Sequence, residues 1–180
     1  GAAGKCVDFE NVSFTYPLAP HFAAAARSSA SFYLRDLPRR AEKAALVFTG
    51  ADGKKLEVVI PAAAAGRGVA LRSGPETAAA PELPTTDRWR KFTLEFGGGR
   101  ATLTGGSRQL AIGIPENFTP VRLSVYAAVI DELHLASGGA TLKLDWEHDY
   151  AARVEPAAGN GGVTAVFHGF DNYAVSVEPA

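Results

Sequence analysis

The sequence predicts an all-β fold, a sandwich or barrel of antiparallel strands. Three observations carry this: short runs with period-2 alternation, readable turn signals between them, and scarce helical periodicity. The runs cover 31–36, 44–49, 55–60, 68–72, 90–96, 101–104, 121–126, 130–135, 141–146, 162–168 and 173–177. Successive side chains on a strand point to opposite faces, so each alternating run implies one buried face and one wet face.

Taken in order, the chain opens with Val7-Asp8-Phe9-Glu10-Asn11-Val12-Ser13-Phe14, a strand-like segment. Residues 19–26, alanine-rich with Pro20 near a first-turn position, have the composition of a two-turn helix. Residues 38–45 share that character, so one or two short helical segments are expected beside the strands. Ala51-Asp52-Gly53 lies between two apolar runs, and Asp-Gly accepts the positive φ angles of a tight hairpin. Residues 73–87 hold Pro75, Pro81 and Pro84 among small and polar residues and read as a long surface loop. Gly97-Gly98-Gly99 separates 92–96 from 101–104 as a second hairpin, and Gly105-Gly106 closes the next corner.

Composition sets the outer bounds. With 180 residues, 47% of them hydrophobic and 21% charged, the chain is large enough to bury a core without disulfides or a structural metal, and it reads as a single domain over 1–180. Eighteen Lys and Arg against nineteen Asp and Glu give a formal charge of −1, so no net field directs the chain to nucleic acid or anionic lipid. No stretch approaches the ~20 apolar residues of a membrane span. The sequence contains no Met and one cysteine, Cys6. These point to a removed leader and exclude a disulfide framework; Lys5 directly before Cys6 argues against a lipoprotein cleavage site.

Trp89-Arg90-Lys91-Phe92-Thr93-Leu94-Glu95-Phe96, the glycine-rich hairpin after it, Val121-Arg122-Leu123-Ser124-Val125 and Ile130-Asp131-Glu132-Leu133-His134-Leu135 follow one another in a telling order. In that order they resemble the second half of the concanavalin A-like lectin/glucanase superfamily, the laminin-G-like domains included. Phe32-Tyr33-Leu34-Arg35 and Ala45-Leu46-Val47-Phe48 fit its earlier strands, so the resemblance covers roughly 30–136. It implies an antiparallel two-sheet jelly-roll sandwich, and by itself no ligand. The chain departs from the pattern in offering Thr104-Gly105-Gly106 in place of an Asp-Gly pair, and in its longer tail. Residues 137–180 are expected to complete the same sandwich, pairing with the N-terminal segment, because about 40 residues do not readily build an independent core. Phe170-Asp171-Asn172-Tyr173-Ala174-Val175 resembles the closing strand of many carbohydrate-binding jelly rolls.

The most suggestive chemistry lies in Leu144-Asp145-Trp146-Glu147-His148-Asp149-Tyr150. On a strand, Asp145, Glu147 and Asp149 share a face at roughly 6.5 to 7 Å spacing, close to the carboxyl separations of about 5 to 9.5 Å used in glycoside hydrolysis. Glycosidases of the resembled superfamily carry alternating acids on one strand, but as Glu-x-Asp-x-(x)-Glu; this chain has Asp-x-Glu-x-Asp. An ordinary half-exposed strand, with Leu142, Leu144 and Trp146 buried and the acids solvated, explains the same pattern and outweighs it. Calcium, which takes several oxygen ligands, suits the acids without being selected by them. The four histidines, His21, His134, His148 and His168, have no zinc-type spacing, so no metal or other cofactor is expected. No P-loop, nucleophile elbow or dinucleotide fingerprint occurs.

Sugar rings stack on exposed aromatics. Tyr16 and Tyr150, in loop-like surroundings, are the expected exposed rings, whereas Trp89 and Trp146 suit the core. Asn11-Val12-Ser13 and Asn117-Phe118-Thr119 are formal glycosylation sequons. The reading is therefore a secreted or periplasmic, non-catalytic β-sandwich that binds carbohydrate or a cell surface, with Tyr16, Asp145, Glu147, Asp149 and Tyr150 as ligand-binding candidates. The alternatives are a polysaccharide hydrolase using Asp145, Glu147 and Asp149, and a structural or protein-interaction domain.

Overall fold

The computed structural model describes residues 13–18, 27–34, 42–62, 68–84, 89–126, 130–138, 140–148, 151–156, 163–165 and 177–179. Among these the chain is all-β, built as two antiparallel sheets with their apolar faces together, plus a small third pair. The six-stranded first sheet runs in the order β1 (Ser13–Pro17), β10 (Pro120–Tyr126), β3 (Lys43–Gly50), β4 (Lys55–Ile60), β5 (Gly68–Ser73), β6 (Glu76–Pro84). The seven-stranded second sheet runs β13 (Ala151–Pro156), β12 (Ala140–His148), β11 (Ile130–Ser137), β2 (Ser28–Leu34), β7 (Arg90–Gly97), β8 (Arg100–Gly105), β9 (Arg108–Gly113). Strands β14 (Val163–Ala165) and β15 (Val177–Pro179) pair with each other.

Register explains why these sequences make a core. Across the first sheet Tyr16, Leu123, Phe48 and Leu56 stand opposite one another, as do Val125, Leu46, Val58, Leu71 and Ala78 in the neighbouring row. The facing row of the second sheet is Leu135, Ala30, Leu94, Leu103 and Leu110. Nearly all of these are solvent-free, so each alternating run has its apolar half turned inward. Aromatic rings tie the two layers: Phe48 of β3 meets Phe96 of β7 at 4.8 Å between centroids, and Phe118 meets Phe96 edge-on at 6.2 Å.

Both hairpins expected from glycine signals form. In the β3–β4 turn, Asp52 Oδ1 accepts the Lys54 N–H at 3.1 Å and Asp52 Oδ2 lies 2.8 Å from Lys54 Nζ. In the β7–β8 turn, Gly98 and Gly99 have φ of 58° and 81°, the pair of positive values that a type I′ hairpin requires.

Three expectations need correction. Residues 43–45, assigned to a helix, open β3, because pairing with β4 and the apolar register override a weak alanine preference; 19–26 lie outside the described residues. The expected loop over 73–87 instead turns at Gly74-Pro75 and continues as β6 against β5. Pro81 and Pro84 fall in the outer strand of the sheet, where the pairing with β5 shifts register between Ala80 and Pro84, an edge irregularity of the kind that accepts proline. Strands β9 and β13 were not anticipated. Ser13 and Phe14 pair with Tyr126 and Val125 of β10, whereas β12 and β13 of the tail add to the opposite sheet beyond β11.

Candidate functional site

Two open grooves share Arg100, one on the outer face of the second sheet and one at the open side of the sandwich. The polar halves of the second sheet's strands line up on that outer face in transverse rows, each alternating with a buried row. Ser29, Glu95, Thr102 and Ala111 form one row across β2, β7, β8 and β9. Ser31, Thr93, Thr104 and Gln109 form the next, continued on β11 by exposed His134. Serine and threonine at these positions present hydroxyls that can donate and accept, on a backbone fixed by its ladders. Gln109 Nε2 lies 3.5 Å from Thr104 Oγ1 within this face.

The first groove, about 570 Å³, is floored by Ser29, Glu95 and Thr102 and walled by Arg27, Gly97-Gly98 and Arg100. The second, about 720 Å³, lies at the open side of the sandwich, between the Pro75–Ala78 stretch of the first sheet and Ala111–Gly113 of β9, and it too is bounded by Arg100. Both volumes fall in the range of roughly 300 to 1,000 Å³ typical of ligand sites. Glu76 spans the mouth of the second: its Oε2 accepts the Gly113 N–H at 3.0 Å. A Cβ at Gly113 would stand 3.0 Å from that oxygen, so glycine lets the carboxylate approach the strand.

Charge in the first groove is unspent. Arg27, Glu95 and Arg100 are all exposed, and among the described residues none of the three enters an ion pair. The outer face of the first sheet differs: there Arg72 bonds Glu42 at 2.5 Å and approaches Glu57 at 3.8 Å. At the β3–β4 turn the hydrogen bond from Lys54 holds the Asp52 carboxyl below its ordinary value of 3.8.

The residues singled out from sequence fare differently. Tyr16 is a correction: it is 1% exposed, in β1, opposite Leu123 and inside the core, and cannot stack on a ligand. In place of loop-like surroundings, pairing with β10 makes 13–17 a strand and turns the ring inward. Asp145 and Glu147 lie on the backbone of β12, with Asp145 paired to Arg153 and an irregularity between Asp145 and His148; their side chains are outside the described residues. Asp149 and Tyr150 are also outside the described residues, as are Cys6, His21, His168 and Asn11. Glu132 is half-buried, with a φ of 47° at a bulge where its N–H donates to Asp131 Oδ1 at 2.9 Å. Among the described residues no group of three or more His, Cys, Asp or Glu stands where it could hold a metal ion. No helix among them is long and apolar enough to cross a membrane.

Arg27, Ser29, Glu95, Arg100 and Thr102 were not reached from sequence. Their polar alternation is visible, as in Thr93 and Glu95 or Thr102 and Thr104. What is not visible is that β2 and β7, more than fifty residues apart in the chain, lie side by side.

No family model matches this sequence, and no curated protein is similar enough to match. Solved structures do share the architecture. Chicken galectin 2 is 7% identical, with a TM-score of 0.49 over 63% of this chain and 100% of its own. Domains LG4-5 of the mouse laminin alpha1 chain are 13% identical, with a TM-score of 0.51, over 77% of this chain; the match spans 45% of that longer chain. At such identities the likeness is one of fold: a concanavalin A-like, laminin-G-like β-sandwich of the jelly-roll kind.

Proposed function

We propose that this domain is a non-catalytic, extracytoplasmic carbohydrate-binding module whose site is the groove between Arg27 and Arg100. One observation carries the reading: hydroxyl, carboxylate and guanidinium groups, with their charges unpaired, converge on a groove of about 570 Å³ over a rigid sheet. Sugars offer many hydroxyls that both donate and accept, and they are held by just such fixed polar partners. The groove is built on strands, so its polar groups are held in place before a ligand arrives, which lowers the cost of ordering them.

Glu95 is the one carboxylate lining this groove among the described residues. Glycoside hydrolysis uses a pair, so binding without cleavage is the function that these groups support. The test is binding of the purified domain to a panel of neutral and acidic polysaccharides, compared with Thr102→Val and Ser29→Val. We expect saturable binding to at least one polymer, weakened in both variants and accompanied by no release of reducing ends. A panel with no binding would overturn the proposal.

A further inference from the structure

The groove is bracketed by two arginines across a residue without a side chain. Gly97 pairs directly with Arg100. On its other side Ser28 pairs with Phe96, so Arg27, one step before β2, continues that register beside Gly97. With strands spaced about 4.8 Å apart, the two arginine backbones stand about 10 Å from each other, with the open floor of Gly97 between them. Glu95 is two residues along β7 on the same face, beside Ser29 and Thr102. Among the described residues lining it, two cations and one anion give the groove a formal charge of +1, although the whole chain carries −1.

We infer that the ligand is an acidic polysaccharide whose carboxylate or sulfate ester lies over Gly97 between Arg27 and Arg100. The inference rests on the carbohydrate-binding reading and specifies its ligand class. A guanidinium is a planar fork that matches two oxygens of a carboxylate or sulfate, and such charge-assisted pairs are about twice as strong as neutral hydrogen bonds. Arg72, on the outer face of the first sheet, has by contrast two acidic partners. Arg27 and Arg100 lie near Glu95 yet neither is paired to it. Glu95 repels an anion placed over it, so it fixes the polarity of the site. The acid group lies at the Gly97 end, and the sugar hydroxyls lie at the Glu95, Ser29 and Thr102 end.

The experiment is calorimetric titration of the full chain with polygalacturonate, its methyl-esterified form, dextran sulfate and dextran. We expect the acidic polymers to bind at least about tenfold more tightly than their neutral counterparts, with affinity falling as salt is raised. Arg27→Ala and Arg100→Ala should each weaken acidic binding by about tenfold, and Glu95→Gln should strengthen it. Since both arginines are exposed and unpaired, thermal unfolding of the variants should match that of the parent. Preference for polygalacturonate or for dextran sulfate identifies the carboxylate or the sulfate as the group recognised. Binding of neither acidic polymer more tightly than its neutral counterpart, or acidic binding undiminished in both arginine variants, overturns the inference while the carbohydrate reading stands. Failure of all four polymers to bind overturns the inference, and failure of the whole panel of polysaccharides overturns both.

Discussion

Asp52 shows how a single side chain shapes a turn and ties it to pH. Its carboxylate takes the Lys54 N–H on one oxygen and the Lys54 ammonium on the other, and both contacts favour the charged form. The folded pKa therefore lies below the unfolded value, and the contribution to stability is complete above that unfolded value and lost as pH falls through the folded one. The group is fully exposed, so the effect is small and screened by salt. We expect Asp52→Asn to lower the urea midpoint at neutral pH, with the gap from the parent closing between about pH 5 and about pH 2. A gap independent of pH would mean that the turn needs the shape of Asp52 and not its charge. The ring expected to be exposed at Tyr16 is a correction at this same scale: its local surroundings read as a loop, and its burial is set by the distant partner Leu123.

At the scale of elements, turn chemistry is what the sequence displays most openly. Gly98 has a φ of 58°, and a Cβ built there meets nothing within 4 Å, so a substitution there bears only a backbone cost. Gly98→Val should destabilise by about 1 to 2 kcal/mol, and Gly98→Asn by less, since Asn visits the left-handed region readily. Equal urea midpoints for the two variants would refute a type I′ requirement. Buried polar pairing between strands is less visible. Ser28 Oγ donates to Ser137 Oγ at 2.7 Å, joining residues 109 apart in sequence, both buried. Either Ser→Ala change leaves a buried hydroxyl unsatisfied, at roughly 1 to 3 kcal/mol, whereas removing both leaves none. A double-mutant cycle should therefore find S28A/S137A more stable than the sum of the single losses; strict additivity would count against the bond. The alternating strands 90–96, 101–104 and 121–126 and their glycine turns were readable because their information is local. Strand β6 was not: a run of threonine, alanines and prolines becomes a strand only because β5 offers it a ladder. The candidate site was hidden for the same reason, since its floor is assembled from β2, β7 and β8, and Ser29 meets Glu95 only in the folded register.

At the scale of the whole molecule, the question is whether the tail belongs to the sandwich. Strand β11 has β2 on one side and β12 on the other, so β12 and β13 stand between it and the sheet edge. Ile130, Leu133 and Leu135 of β11 are buried in the common core with Phe32, Leu94 and Leu103. We propose that 137–180 forms one cooperative unit with the rest. A chain ended at residue 138 would leave β11 as an edge, with a row of unpaired N–H and C=O groups next to apolar side chains, the arrangement that promotes edge-to-edge association. The expected outcome is a lower urea midpoint than that of the full chain, together with concentration-dependent self-association in sizing chromatography. If the shortened chain is monomeric and unfolds at the same midpoint, the core closes at β11 and the tail is a separate unit. The groove provides an independent readout of the same question, because Arg27, Glu95 and Arg100 lie on β7, β8 and the entrance to β2, away from the deleted strands. A shortened chain that associates at its new edge and still binds polysaccharide would separate the role of the tail in stability from the chemistry of the site.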